Sequence, residues 1–241
     1  MDGIRVIACD VFGTTVDWYT GVADQVAEIL PDLDAGAFAS EWRGMYLPSM
    51  ANVREGRRPW AYLDTLHRES LDELLARHGV DPDEGTRRRL VRAWHRLPAW
   101  PDSVDGLAKL GRHHTLATLS NGGFALLTSL VKHAGLPFDC VLSAELARTY
   151  KPDPAVYRTA AGLLDVEPNE VLMVAAHRWD LDGARKAGMR TAFLERPAEK
   201  GPLRVDGSFA SSLAAADRAA DVTSDLSVAS FTELADVLSR A

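Results

Sequence analysis

Residues 4–9 (Ile-Arg-Val-Ile-Ala-Cys) make a short, mostly apolar run that ends at Asp10 and a Gly13-Thr14 turn signal. A run of this length closed by a turn predicts a buried strand. From about residue 20 to residue 97 the period changes. Apolar positions recur at helical spacing over Val22–Leu30, Phe38–Met50, Trp60–His78 and Thr86–Trp94, with no convincing strand among them, so the stretch reads as a helical insertion. After Pro98 helix and strand patterns alternate. Helices are predicted over Asp102–Leu110, Phe124–Ala134, Pro154–Leu164 and Leu181–Ala187, and strands over Thr115–Leu119, Cys140–Leu142, Val171–Ala175 and Thr191–Leu194. Residues 197–220 read as a loop-rich excursion with no legible function; a last strand at Ala220–Thr223 and a closing helix at Phe231–Leu238 follow.

Short strands separated by helices imply βαβ units and a parallel sheet, and right-handed crossovers put helices on both of its faces. The expected fold class is therefore α/β, a Rossmann-like doubly wound parallel sheet with an inserted helical unit. In such sheets ligands bind beyond the carboxyl ends of the strands. The polar residues falling there are Asp10 and Thr14 after the first strand and Ser120-Asn121 after the second. Lys151-Pro152-Asp153 follows the third, and His177 and Asp180 follow the fourth.

Composition narrows the partners. The 241 residues carry a net charge of −7, which disfavours nucleic acid, because phosphate binding needs clustered Lys and Arg. The run Arg87-Arg88-Arg89 lies in a helical pattern and reads as a solvated face; Arg57-Arg58, beside Gly56 and Pro59, reads as loop. The two cysteines, Cys9 and Cys140, form neither a CxxC pair nor a metal-spaced cluster. The N-terminal apolar stretch is too short for a signal peptide and no 18-residue apolar run occurs, so no membrane partner and a cytoplasmic location are expected.

Asp10-Val-Phe-Gly-Thr14, Leu119-Ser120-Asn121-Gly122, Tyr150-Lys151-Pro152-Asp153 and the Val174–Asp180 segment resemble the four motifs of the haloacid dehalogenase superfamily, within it most nearly the type II L-2-haloacid dehalogenases. The resemblance implies a core at 1–16 and 99–241, a helical cap at 17–98, and a homodimer. It also implies displacement of halide from a small 2-haloalkanoic acid through an ester on Asp10 that water then cleaves. A carboxylate is a modest nucleophile, but its ester splits one hard step into two. Lys151, beside it, would keep it ionised. Phosphatases of the superfamily carry a second Asp where this chain has Phe12. A departing halide needs no proton, and Phe12 offers an apolar wall instead.

Ser120 and Asn121, with Thr14, would hold the substrate carboxylate; helix capping is the alternative use of Ser and Asn at this position. Arg43, in Glu41-Trp42-Arg43, is similar to a cap arginine of the type II enzymes that faces the halide, where negative charge builds; otherwise it is one surface arginine among many. Trp60 and Trp179 line the pocket or pack in the core. Asp180 is the expected activator of the hydrolytic water.

The fourth motif departs from the type II pattern Ser-Ser-Asn-x-Trp-Asp, reading Ala175-Ala176-His177-Arg178-Trp179-Asp180. A hydroxyl that helps place water is missing, and His177 takes the asparagine position as a hydrogen-bonding partner, a base or a structural residue. Phosphatases carry a Mg²⁺-binding Asp where this chain has Ala176, so neither a metal nor another cofactor is expected. The alternatives are the same ester chemistry on another small carboxylate, a Mg²⁺-dependent small-molecule phosphatase, and a binding protein without activity.

Overall fold

In the computed structural model, which describes residues 3–201 and 223–240, strand β1 (Val6–Cys9) is buried at every position. It pairs in parallel on both sides, which explains why it reads as a continuous apolar run rather than an alternation. The partners are β2 (Thr115–Ser120) and β4 (Val171–Ala175); β3 (Cys140–Ser143), β5 (Arg190–Leu194) and β6 (Leu226–Val228) complete a six-stranded sheet in the order β3-β2-β1-β4-β5-β6. Every pairing is parallel. The order reverses at β1, so the switch-point crevice opens at its carboxyl end. Cys9 lies level with Thr118 and Val174, which brings the residues following all three strands to one edge.

Five helices, α1 (Trp18–Ile29), α2 (Ala35–Gly44), α3 (Tyr46–Arg54), α4 (Leu63–Arg77) and α5 (Glu84–Ala93), fill the chain between β1 and α6 (Ser103–Leu110), with no strand among them. Asp17, Asp34 and Asp83 cap α1, α2 and α5 by accepting from backbone N–H groups of the first turn. The single helix expected over Phe38–Met50 is two, broken at Met45. Pro48 is the reason: within one continuous helix its ring would strike the Gly44 carbonyl, but it is tolerated in the first turn of a new one. The helix expected from Trp60 begins at Leu63, because Tyr62 is extended (φ −68°, ψ 150°). The Tyr150 hydroxyl donates to the Ala61 carbonyl at 2.7 Å and the Tyr150 ring lies 4.8 Å from that of Trp60, so tertiary contacts hold this segment out of the helix.

Helices α7 (Phe124–His133), α8 (Pro154–Leu163) and α9 (Arg178–Lys186) connect the remaining strands, and α10 (Phe231–Leu238) packs on α6. Helix α9 starts three residues before the predicted Leu181, which turns Trp179 and Asp180 from loop into first helical turn. The last strand is Leu226–Val228; of the span predicted for it, Thr223 is irregular and 220–222 lie outside the described residues. Of the excursion at 197–220, residues 202–220 likewise lie outside them. Residues 197–200 form a turn, and Arg196 secures it: its Nε donates to the Thr14 carbonyl at 2.9 Å and its guanidinium pairs with Asp102 at 2.7 and 3.1 Å. Asp102 in turn accepts from the Phe231 N–H at the start of α10.

Of the basic run, Arg88 and Arg89 are exposed, whereas Arg87 pairs with Asp72 and Asp81. Both cysteines are free thiols. Among the described residues no helix is long and apolar enough to cross a membrane.

Candidate active site

The Asp10 N–H donates to Val174 O at 2.9 Å, so the backbone is still in the ladder as the side chain leaves the sheet. The chain then turns sharply through Val11–Val16. Gly13 adopts φ +87°, a conformation open to glycine at little cost. Even in a suitable conformation a side chain would not fit there, since a Cβ would lie 2.4 Å from Glu199 Oε1.

The two oxygens of Asp10 have different surroundings. Oδ1 accepts from Lys151 Nζ at 2.9 Å. Oδ2 accepts from the Thr14 hydroxyl at 3.0 Å and faces His177 Nδ1 at 3.2 Å. Thr14 Oγ1 also accepts from the Ala176 N–H at 2.9 Å, so this hydroxyl is committed to Asp10 rather than open to a ligand. Lys151 uses its other two protons on Leu119 O at 2.8 Å and Asp180 Oδ2 at 2.5 Å. All three donors of the ammonium are taken. The second oxygen of Asp180 accepts from the Tyr157 hydroxyl at 2.6 Å. Gly183 makes room for this approach, because a Cβ there would lie 2.6 Å from both Pro152 and the Tyr157 hydroxyl.

Electrostatics follow from burial and pairing. Burial raises the Asp10 pKa, but the Lys151 charge and the His177 hydrogen bond outweigh it and hold the carboxyl well below the usual range. Lys151 is pushed up to about 12; its burial opposes the charge, and Asp10 and Asp180 overcome that. Asp180 is raised, chiefly by burial and despite Lys151. His177 resists burial through Glu199 and Asp10 and rises to about 10, while Glu199 falls to about 2, burial being outweighed by the His177 charge.

Ser120 and Asn121 are buried beside this cluster. Ser120 Oγ accepts from the Gly122 N–H at 3.2 Å, a turn-capping bond, and Asn121 Oδ1 accepts from the Lys151 N–H at 2.8 Å. Asn121 Nδ2, near the Tyr46 side chain, makes no hydrogen bond of normal geometry among the described residues.

Arg43 is buried in α2 rather than on the surface. Its guanidinium carbon lies 4.1 Å from the Tyr46 ring centroid, 5.3 Å from Trp18, 5.8 Å from Phe12 and 5.9 Å from Trp94. Its Nε and Nη1 have no hydrogen-bond partner among the described residues. Phe12 reaches aromatics of the helical segment between β1 and α6, meeting Trp94 and Tyr46 edge-on. Trp179 is buried with its ring 5.7 Å from His177, and Trp60 is half-buried against Tyr150. Asp182 points away and pairs with Lys186 at 2.6 Å. Among the described residues no group of three or more His, Cys, Asp or Glu side chains is arranged to hold a metal ion.

Two contributors escape a reading of the sequence. Tyr157 lies on the buried stripe of α8 with Val156, Ala160 and Ala161. A tyrosine on an apolar stripe needs a partner for its hydroxyl, and that was the available signal. Glu199 lies in a Pro/Gly-rich stretch with no periodicity. Yet it is 4% exposed, accepts from Trp18 Nε1 at 3.0 Å and lies 2.9 Å from His177 Nε2.

Comparison with known proteins gives a consistent set. Residues 4–188 match the family described as haloacid dehalogenase-like hydrolase. The chain is 33% identical to (S)-2-haloacid dehalogenase 4A of Burkholderia cepacia over 199 residues, 81% of this chain and 85% of that one. It superposes on a defluorinating L-2-haloacid dehalogenase with a TM-score of 0.89 at 42% identity, covering 99% and 96% of the two chains. The L-2-haloacid dehalogenase of Xanthobacter autotrophicus, solved with chloropropionic acid covalently bound, matches with a TM-score of 0.83 at 28% identity over 98% of both chains.

Proposed function

The chain belongs to the haloacid dehalogenase-like hydrolases, and from that premise we propose that it hydrolyses a small 2-haloalkanoic acid to the 2-hydroxy acid through a covalent Asp10 ester, without a metal. The observation that carries this reading is the occupancy of the two Asp10 oxygens. A carboxylate oxygen has two lone-pair sites. Oδ2 uses both, on Thr14 and His177, whereas Oδ1 spends one on Lys151 and keeps one for a carbon electrophile.

In the first step that lone pair bonds to the α-carbon and the carbon–halogen pair departs with the halide. Arg43 Nε and Nη1 and Asn121 Nδ2, donors without a hydrogen bond of normal geometry among the described residues, suit the acceptor-only halide and substrate carboxylate. Ser120 supports the carboxylate, and Phe12, Trp60 and Trp179 line the pocket; the N-terminus of α7 is left out of this role, because the Phe124 N–H donates to Glu145 at 2.8 Å. In the second step water adds to the Asp10 carboxyl carbon and gives a proton to Asp180, whose raised pKa suits a base. Collapse breaks the bond to Oδ1, which leaves as the product's oxygen. It takes a proton from Lys151, and Lys151 recovers one from Asp180. Asp10 is left as the acid and releases the remaining proton of the water, so the net products are hydroxy acid, halide and H⁺.

The boundaries 17–98 for the cap and 1–16 with 99–241 for the core are part of this proposal, supported by the unbroken helical run between β1 and β2. The cap excludes water during the first step. A homodimer and a cytoplasmic location complete it, testable by light scattering and by fractionation.

The deciding experiment incubates the protein with 2-chloropropionate and fluoroacetate, with and without EDTA, and follows halide release beside p-nitrophenyl phosphate hydrolysis. EDTA-insensitive halide release is expected. EDTA-sensitive phosphate release without halide would replace this reading with the phosphatase one. A single turnover in heavy-oxygen water should label Asp10 and leave the product unlabelled.

A further inference from the structure

We infer that Glu199 is a positioning residue for the second half of the reaction: it fixes His177 so that Nδ1–H donates to Asp10 Oδ2, the atom that becomes the ester carbonyl oxygen and then the oxyanion. The inference rests on the ester reading above and assigns a role to a residue outside the four motifs.

Geometry sets the protonation state. His177 Nδ1 faces Asp10 Oδ2 at 3.2 Å and Nε2 faces Glu199 Oε1 at 2.9 Å. Ionised carboxylates only accept, so both ring nitrogens must donate and the ring is an imidazolium. Its pKa of about 10 agrees. A protonated ring cannot serve as the base for water. It can hold negative charge on Oδ2. Glu199 is itself fixed, by the Trp18 indole N–H at 3.0 Å and by close packing against Gly13. The turn that carries it is tied to the nucleophile loop through Arg196 and Thr14 O.

The two half-reactions separate the roles. Before alkylation, a cation on Oδ2 draws electron density from the nucleophile, so it does not accelerate attack by Oδ1. After alkylation, Oδ2 is the carbonyl oxygen. When water adds to the carboxyl carbon, the C=O π pair moves onto Oδ2, where Thr14 Oγ–H and His177 Nδ1–H receive it. Collapse returns the pair to the carbonyl as the bond to Oδ1 breaks. Both donors are already aimed at the atom where charge develops.

The test is rapid-quench kinetics on the full chain with 2-chloropropionate, comparing wild type, Glu199→Gln and His177→Gln. Both variants should release a first equivalent of chloride at close to the wild-type rate. Their steady-state turnover should fall by about 10²-fold, the usual effect of losing one oxyanion donor. Mass spectrometry should show the lactyl ester accumulating on Asp10. The preserved burst also demonstrates a folded site. Turnover and burst falling together, or neither changing, in both variants overturns the role. Wild-type protein that releases no chloride and forms no adduct overturns the dehalogenase reading itself, before any variant is compared.

Discussion

The sheet side and the helical side of the site differ in how completely their polar groups are paired. On the sheet side, every proton of Lys151 and both oxygens of Asp10 and Asp180 have partners. On the helical side, Arg43 Nε and Nη1, both ring nitrogens of His67 and the Trp94 indole N–H are buried without hydrogen-bond partners among the described residues. Around Arg43 stand four aromatic rings, each worth about 0.5–2 kcal/mol as a cation–π contact. Desolvating an ion costs several kcal/mol, about as much as the rings together return. The Asp10–Lys151–Asp180 cluster is therefore internally paired, whereas Arg43, and beside the cluster Asn121 Nδ2, keep donors without partners among the described residues. On the proposed reading, one side holds reacting atoms in place and the other keeps donors for an anion.

The sharpest way to break this contrast is Asp10→Asn, which removes the atom on which the sheet side converges. Turnover should fall by at least about 10³-fold, since no other group supplies the covalent step. Chloride release by the variant at more than a trace would contradict the assigned nucleophile. Next, Lys151→Met leaves two buried carboxylates without their shared cation. We expect kcat/KM to fall by roughly 10²–10³-fold and stability to drop by about 3–5 kcal/mol in urea unfolding, because one partner of a buried ion pair is stripped.

Arg43→Met should behave in the opposite sense on stability. It exchanges a buried cation that forms no ion pair among the described residues for an apolar chain among aromatics, so the melting temperature should rise while kcat/KM falls by about 10–10²-fold. A fall in both would mean that the arginine has a structural partner.

The smallest effect sharpens the sheet side alone. His177 has its pKa raised from 6.5 to about 10 by folding. Its contribution to stability is thus fully present below about pH 6.5 and lost as pH rises through about 10. Urea unfolding of wild type and His177→Gln should converge toward pH 10 and diverge below neutrality. A constant gap would show that the ring is not an imidazolium.

Most of the sheet side was legible in the sequence. Strand ends in a parallel sheet converge by topology, so Asp10, Asn121, Lys151, His177 and Asp180 could be gathered without coordinates. What resisted reading depends on tertiary packing. Trp60 is held outside α4 by the contacts around Tyr150, which no local propensity encodes. The break at Met45 was present in Pro48 but masked by unbroken apolar spacing. Arg43 could be singled out only through the family resemblance; its burial among four aromatic rings depends on how α2 packs against its neighbours. Glu199 had no signal at all: a single carboxylate in an aperiodic stretch gains meaning only from the ring it meets.

The Arg196 clasp bears on the order in which the enzyme becomes competent. It joins the Thr14 carbonyl, Asp102 and, through Asp102, the first N–H of α10. Glu199, carried by the same turn, follows His177 by 22 residues. Asp10, Lys151 and Asp180 all precede Arg196 and its turn in the chain. On the proposed reading, a molecule whose clasp stands open keeps the groups of the alkylation step but clears its ester more slowly.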